Sequence, residues 1–252
     1  MSLTSPVPTS DLDTAQARRD LAAAHRLAVM DDLHEGTWNH FSLRMPGTED
    51  RFLVTPASTH WSQVTASSLV ELGPDSHDEV AARGGLAWVA YCIHGPILWA
   101  RPELAAVLHV HSPHLVALSM LEEPRLEPAE QAALDFHART AVTERFDAEM
   151  APGLGHGREL AAALGERDVL IMRNHGAIVV GRTIGEAYTD LYALERAARA
   201  LILALSTGRP LRRYAEDIAA TLTAGNKSVT LKREHFAAMK RVLDADGSDY
   251  ER

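Results

Sequence analysis

This 252-residue sequence predicts an α/β protein, a mixed sheet with helices on both faces. Three observations carry that expectation. Strand-like runs come early, within residues 38–55, and a long periodic apolar helix comes late, from 183 to about 205. Between them helical stretches alternate with buried-strand runs, the order of helices packed on a sheet. With 46% apolar and 23% charged residues, a single domain over 11–252 is expected. Residues 1–10, rich in Ser, Thr and Pro, are expected to form a disordered tail.

From Asp11 the pattern is helical, with Ala17, Leu21, Ala24 and Ala28 at helix spacing and Gly36 beyond the end. Residues 38–45 alternate as a strand, 46–50 form a turn, and 51–55 read as a second strand, giving a hairpin. Thr65 is placed to cap a short helix through Leu72, which Gly73-Pro74-Asp75-Ser76 ends. Residues 86–93 are apolar and fit either strand or helix. Proline suits the first turn of a helix and disrupts its interior, so Gly95-Pro96 favours a strand to about Ile93 and a short helix over about 96–100. His94 then sits at the junction, facing a pocket.

Residues 105–110, bounded by Pro102 and Pro113, read as a buried strand, 113–120 as a helix and 121–130 as a loop. Residues 168–172 are another buried strand, and 178–180 continue extended after Asn174-His175-Gly176. Thr183 and Glu186 have the capping-box spacing and open the late helix, which stops near Gly208-Arg209-Pro210. From Leu211 the chain is expected to be helical again, with a polar tail from Asp244.

Composition excludes several function classes. No apolar run approaches the roughly 20 residues that span a bilayer, and Met1 to Pro6 do not form a secretory signal. Cys92 is the only cysteine, which excludes an internal disulfide and a Cys-rich zinc site and makes a reducing cytoplasm the expected location. A formal net charge of −9 argues against a nucleic-acid partner. Thirteen histidines direct attention to metal or acid–base chemistry.

On the strand 105–110 the side chains alternate, so His109 and His111 point the same way, roughly 7 Å apart along the chain. Two imidazoles on one face at a strand's carboxyl end can share a metal ion; equally, one can pair with a carboxylate while the other is solvated. Ligands in such sheets sit near the carboxyl ends of strands, where His94, His109, His111 and His175 all fall. His175 also fits a plain Asn-His-Gly turn. Three neutral imidazoles would leave a divalent metal with open positions, the arrangement of catalytic zinc sites, though manganese, iron, cobalt or nickel suits the same ligands.

The segment from Ile93-His94-Gly95-Pro96 to Arg101-Pro102-Glu103-Leu104, continuing into His109-Val110-His111-Ser112, resembles the central motif of the class II aldolase/adducin family. Asn174-His175-Gly176, followed by Gly181 and Glu186-Ala187-Tyr188, resembles that family's second motif. The likeness runs in order from about residue 14 to 206. It implies a three-layer α/β/α domain with a central mixed, largely antiparallel sheet. It also implies a homotetramer with the active site near a subunit interface, and His109, His111 and His175 as metal ligands. One divalent metal per chain is expected, zinc first, with manganese or iron as alternatives.

Departures from the sugar-phosphate aldolases shape the functional expectation. Their Thr-Ser-Gly-Asn-type loop corresponds here to Gly36-Thr37-Trp38-Asn39-His40-Phe41-Ser42, and their Ser-Ser-Glu to Trp88-Val89-Ala90. The phosphate-binding serines and the acid–base carboxylate are both missing. His94 is the leading replacement as catalytic acid–base group, because imidazole titrates near working pH; His40, His60, His114 and His137 are weaker choices. Asn39 and Arg44 are the substrate-binding candidates, with Arg173 a second arginine able to hold a carboxylate. Tyr188 and Glu195 lie on a helix expected to pack nearby. The expected activity is a metal-dependent carbon–carbon lyase, aldolase or decarboxylase, on a small non-phosphorylated hydroxy-carboxylate or carbonyl compound. A non-haem iron oxygenase and a non-catalytic adducin-like interaction module are the alternatives.

Overall fold

Strands β1 (His40–Arg44), β2 (Phe52–Val54), β3 (Val70–Leu72), β4 (Ala106–Val110), β5 (Thr140–Val142), β6 (Val169–Met172) and β7 (Gly176–Gly181) form one sheet. Their order is β3-β2-β1-β4-β7-β6-β5, and every pairing is antiparallel except β5 with β6. The computed structural model describes residues 11–143, 153–215, 217–218 and 229–252; the expected tail over 1–10 lies outside them.

Helices cover both faces because the strands are apolar on both. On β4, Ala106, Leu108 and Val110 join a core with α1 (Asp11–Met30), α4 (Pro113–Ser119), α5 (Gln131–Leu134), α7 (Ile184–Ser206) and α8 (Val229–Ala245). Val107 points the other way, into a core with α2 (His77–Arg83), α3 (Gly85–Ala100) and α6 (Leu154–Leu164). β7 repeats the alternation, with Ala177 and Val179 toward the first core and Ile178 and Val180 toward the second. This is the period of two that a pleated strand imposes, in strands buried on both sides. His109, two residues from Val107, therefore faces the α3 layer.

The hairpin, β4, α4, β6 and the start of α7 fall where the sequence places them. At the start of α7 the Thr183 hydroxyl accepts from the Glu186 N–H at 3.1 Å. Glu186 completes no box; its carboxylate pairs with Arg233 of α8 at 2.9 Å.

Three expectations are corrected. Residues 86–93 are not a strand: α3 runs unbroken over Gly85–Ala100 with Pro96 inside it. Every residue from Ala90 to Leu98 is buried, so no polar face marks the helical period. Pro96 removes the N–H that would reach the Cys92 carbonyl, and Gly157 of α6 stands against that carbonyl with no room for a Cβ. The expected helix after Thr65 is a 3-10 turn, Ala66–Ser68, followed by β3. Residues 211–215 have no regular structure, and among the described residues the next long helix is α8. The sequence reading also passed over α2, α5, β5 and α6.

Candidate metal centre

The antiparallel pairing of β4 with β7 sets Val110 opposite Ala177, so the turn before β7 lies beside the end of β4. That turn carries His175. Asn174 takes a left-handed conformation, φ 56°, and its N–H donates to the Ser119 carbonyl at 3.0 Å. The His175 N–H lies 3.1 Å from both the Met172 carbonyl and the Ser119 hydroxyl. Gly176 follows because a Cβ there would strike the Val110 carbonyl and crowd the His111 ring.

The structure brings His109, His111 and His175 together. Their Nε2 atoms lie 2.9 Å (His109–His111), 3.0 Å (His111–His175) and 3.2 Å (His175–His109) apart. Nδ1 of His109 donates to the Ala177 carbonyl at 3.1 Å, and Nδ1 of His111 to a Glu35 carboxylate oxygen at 2.6 Å. Carbonyl and carboxylate oxygens accept, so Nδ1 of His109 and of His111 carries a proton and their Nε2 atoms turn toward that of His175. Facing lone pairs at such distances repel unless a cation sits among them. The spacing is also near the roughly 3.3 Å edge of a tetrahedron with 2.0–2.1 Å metal–nitrogen bonds. The donor set fits a divalent metal.

Burial keeps His109 and His175 in their ligating form. It pushes His109 well below the usual imidazole range, with His40, His111 and His175 adding to the effect. Burial, then His111 and His156, lowers His175 to about 4.

Behind His109 lies a second group of polar side chains, all buried. His40 is its cross-strand partner, with ring centroids 5.0 Å apart. His40 Nδ1 is 2.7 Å from His94 Nε2, and His94 Nδ1 is 2.6 Å from the Ser42 hydroxyl. Burial holds both His40 and His94 well below their usual range, each further lowered by a neighbouring histidine. His94 thus does not face a pocket from a strand–helix junction. It sits inside α3 with both ring nitrogens occupied, by His40 and by Ser42.

Arg44 is not at the triad either. β1 runs antiparallel to β4, and the Arg44 N–H bonds to the carbonyl of Ala105, at the opposite end of β4 from His109. Its guanidinium holds the carbonyls of Leu104 (2.9 Å), Arg101 (3.3 Å), Leu98 and Glu49, clipping a corner of the fold. Arg173 likewise holds the carbonyls of Thr143 and Glu122. Asn39 is buried, and its Oδ1 accepts from the Glu35 N–H at 2.7 Å, while its Nδ2 has no partner among the described residues. Ala90, where the aldolases carry their Glu, is buried and apolar.

Glu35 is the carboxylate that meets the triad, and the sequence reading passed over it. No local signal marks it, because it lies 76 residues from His111. The tryptophans do not line the site as a group: Trp61 is in the core beside Phe41, Trp88 and Trp99 pack on Tyr91, and Trp38 is exposed.

Comparison with known proteins places the fold in a family. Residues 19–202 match the family model described as Class II Aldolase and Adducin N-terminal domain. A Caulobacter vibrioides protein named "Putative aldolase class 2 protein" is 34% identical over 194 residues, 77% of this chain and 74% of that protein. Human Beta-adducin is 27% identical over 222 residues, which span 82% of this chain and 30% of that protein. The crystal structure of an aldolase II superfamily protein from Pseudomonas syringae superposes with a TM-score of 0.86 at 30% identity, covering 95% of this chain and 96% of that one. L-fuculose 1-phosphate aldolase from Glaciozyma antarctica shares the fold at a TM-score of 0.82 and 23% identity, covering 98% of this chain and 97% of that one. The chain belongs to the class II aldolase and adducin family.

Proposed function

We propose that the chain is a divalent-metal-dependent carbon–carbon lyase acting on a small, non-phosphorylated hydroxy-carboxylate or carbonyl substrate. The observation that carries this reading is the convergence of three imidazole Nε2 atoms within 3.2 Å of one another. When bound, a divalent cation, zinc first and manganese or iron as alternatives, polarises a substrate carbonyl or carboxylate oxygen and stabilises the enolate charge left when a neighbouring carbon–carbon bond breaks. His109, His111 and His175 supply the nitrogens, while Ala177 and Glu35 hold the protons on Nδ1 of His109 and His111. Ser42, His94 and His40 form a hydrogen-bonded line beside His109, in which His94 Nε2 and His40 Nδ1 share one proton.

Two features support a substrate without phosphate. Trp88-Val89-Ala90 replaces the serines and the carboxylate of the sugar-phosphate aldolases, and Arg44 and Arg173 are engaged by backbone carbonyls. The missing carboxylate favours decarboxylation, because retro-aldol cleavage needs a base for the substrate hydroxyl. The proposal extends to a cytoplasmic homo-oligomer, a tetramer by family resemblance. The relation to Beta-adducin supports a second reading, a non-catalytic interaction module on the same scaffold.

Metal-loaded protein presented with a panel of hydroxy and keto acids should release carbon dioxide or an aldehyde, and His175→Ala should abolish that release. A filled site with no turnover on the panel would favour the interaction module. Oxygen uptake that depends on iron would replace the lyase with an oxygenase.

A further inference from the structure

Helix α4 stands between His111 and His175, and both of its ends are tied. Ser112 is its N-cap residue, yet its hydroxyl makes no capping bond within the helix. It donates instead to Glu195 of α7 at 2.7 Å. The same carboxylate accepts from the backbone N–H groups of His114 (3.2 Å) and Leu115 (3.1 Å) and from His114 Nδ1 (2.6 Å). Pro113 has no N–H, so the free donors at the start of α4 are taken up by one buried carboxylate from a different helix. At the far end, Ser119 accepts the N–H groups of Asn174 and His175, on its carbonyl and its hydroxyl. The span from the residue after His111 to the group that holds His175 is a single rigid segment, about 10 Å long at 1.5 Å per residue.

We propose that Glu195 is a positioning residue for the metal triad: by anchoring α4 on α7 it sets His111 against His175. This rests on the metal-site reading above. Glu195 makes no hydrogen bond to the three ligating rings and acts on them through the backbone on either side of α4. A local Ser cap would satisfy one of these N–H groups, and it would not fix α4 in place relative to α7, the long helix packed under the sheet.

The test uses the full-length protein loaded with cobalt(II), reading the affinity by chelator competition and the ligand geometry by the visible spectrum. Glu195→Ala should weaken cobalt binding about 10–100-fold and alter the spectrum, the scale typical of groups that orient a metal's ligands. Glu195→Gln keeps an acceptor oxygen and should fall between. Ser119→Ala, which loosens the other end of α4, should change the spectrum in the same way and keeps the test open if Glu195→Ala does not fold. Glu186→Ala removes a carboxylate of α7 that holds Arg233 and not α4; it should lower Tm and leave affinity and spectrum alone. Unchanged affinity and spectrum in folded Glu195 and Ser119 variants would overturn the inference, as would an equal effect of Glu186→Ala. A wild type that binds no cobalt would overturn the metal site itself, and this inference with it.

Discussion

His111 presents Nε2 to its two neighbours because Glu35 holds the proton on its other nitrogen. The loop around Glu35 is built for that contact: Asn39 accepts the Glu35 N–H, the Glu35 carbonyl accepts the Trp38 N–H, and Gly36 supplies the positive φ of 60° between them. Glu35→Ala should therefore weaken metal binding about 10–100-fold, measured by chelator competition, with the fold intact. Unchanged affinity would mean that the contact orients nothing. His25 is one of several buried histidines, with His40, His94 and His109, that make the fold acid-sensitive. His25 is wholly buried, its Nδ1 donating to the Leu21 carbonyl and its Nε2 accepting from Thr55, and burial lowers it from 6.5 to about 4. The unfolded chain takes up that proton first as pH falls. The stabilisation is full above about pH 6.5 and is lost toward pH 4, a change of about 3 kcal/mol. Tm of chelator-treated protein should fall across that window, and His25→Gln should flatten the slope. Identical slopes would assign the acid loss to other groups.

Among the elements, the contact of α3 with α6 depends on Gly157, which packs directly on the Cys92 carbonyl. Gly157→Ala must push the helices apart and should cost about 1–3 kcal/mol of stability by denaturant unfolding; a neutral substitution would contradict so close an approach. The same contact explains why α3 was illegible. A helix buried all round from Ala90 to Leu98 shows no period there, and Pro96 marks a boundary to any reader who cannot see Gly157 across from it. β5 has too few residues for a pattern, and α6 opens with glycines at 155 and 157. By contrast β4 and β6 are short apolar runs bounded by turns, and α7 begins with a cap, so sequence and structure agree there. The site divides along the same line. His-x-His on a strand and Asn-His-Gly before another are local patterns. Glu35 and Glu195 reach the site across 76 and 83 residues, and no spacing rule finds them. Nor does sequence tell an arginine that faces a ligand from one, like Arg44, that holds carbonyls.

For the molecule as a whole, the sheet order places β4 between β1 and β7, and that adjacency assembles the centre. β4 supplies His109 and leads into His111, the turn into β7 supplies His175, and β1 sets His40 behind His109. The central claim, a metal held by these three histidines, is tested most directly by elemental analysis of untagged wild type beside the His109→Ala/His111→Ala variant, both washed free of loose ions. The account predicts about one divalent metal per chain in the wild type and none in the variant, with the same circular dichroism. Equal metal in the two proteins, or none in the wild type after reconstitution, would contradict it.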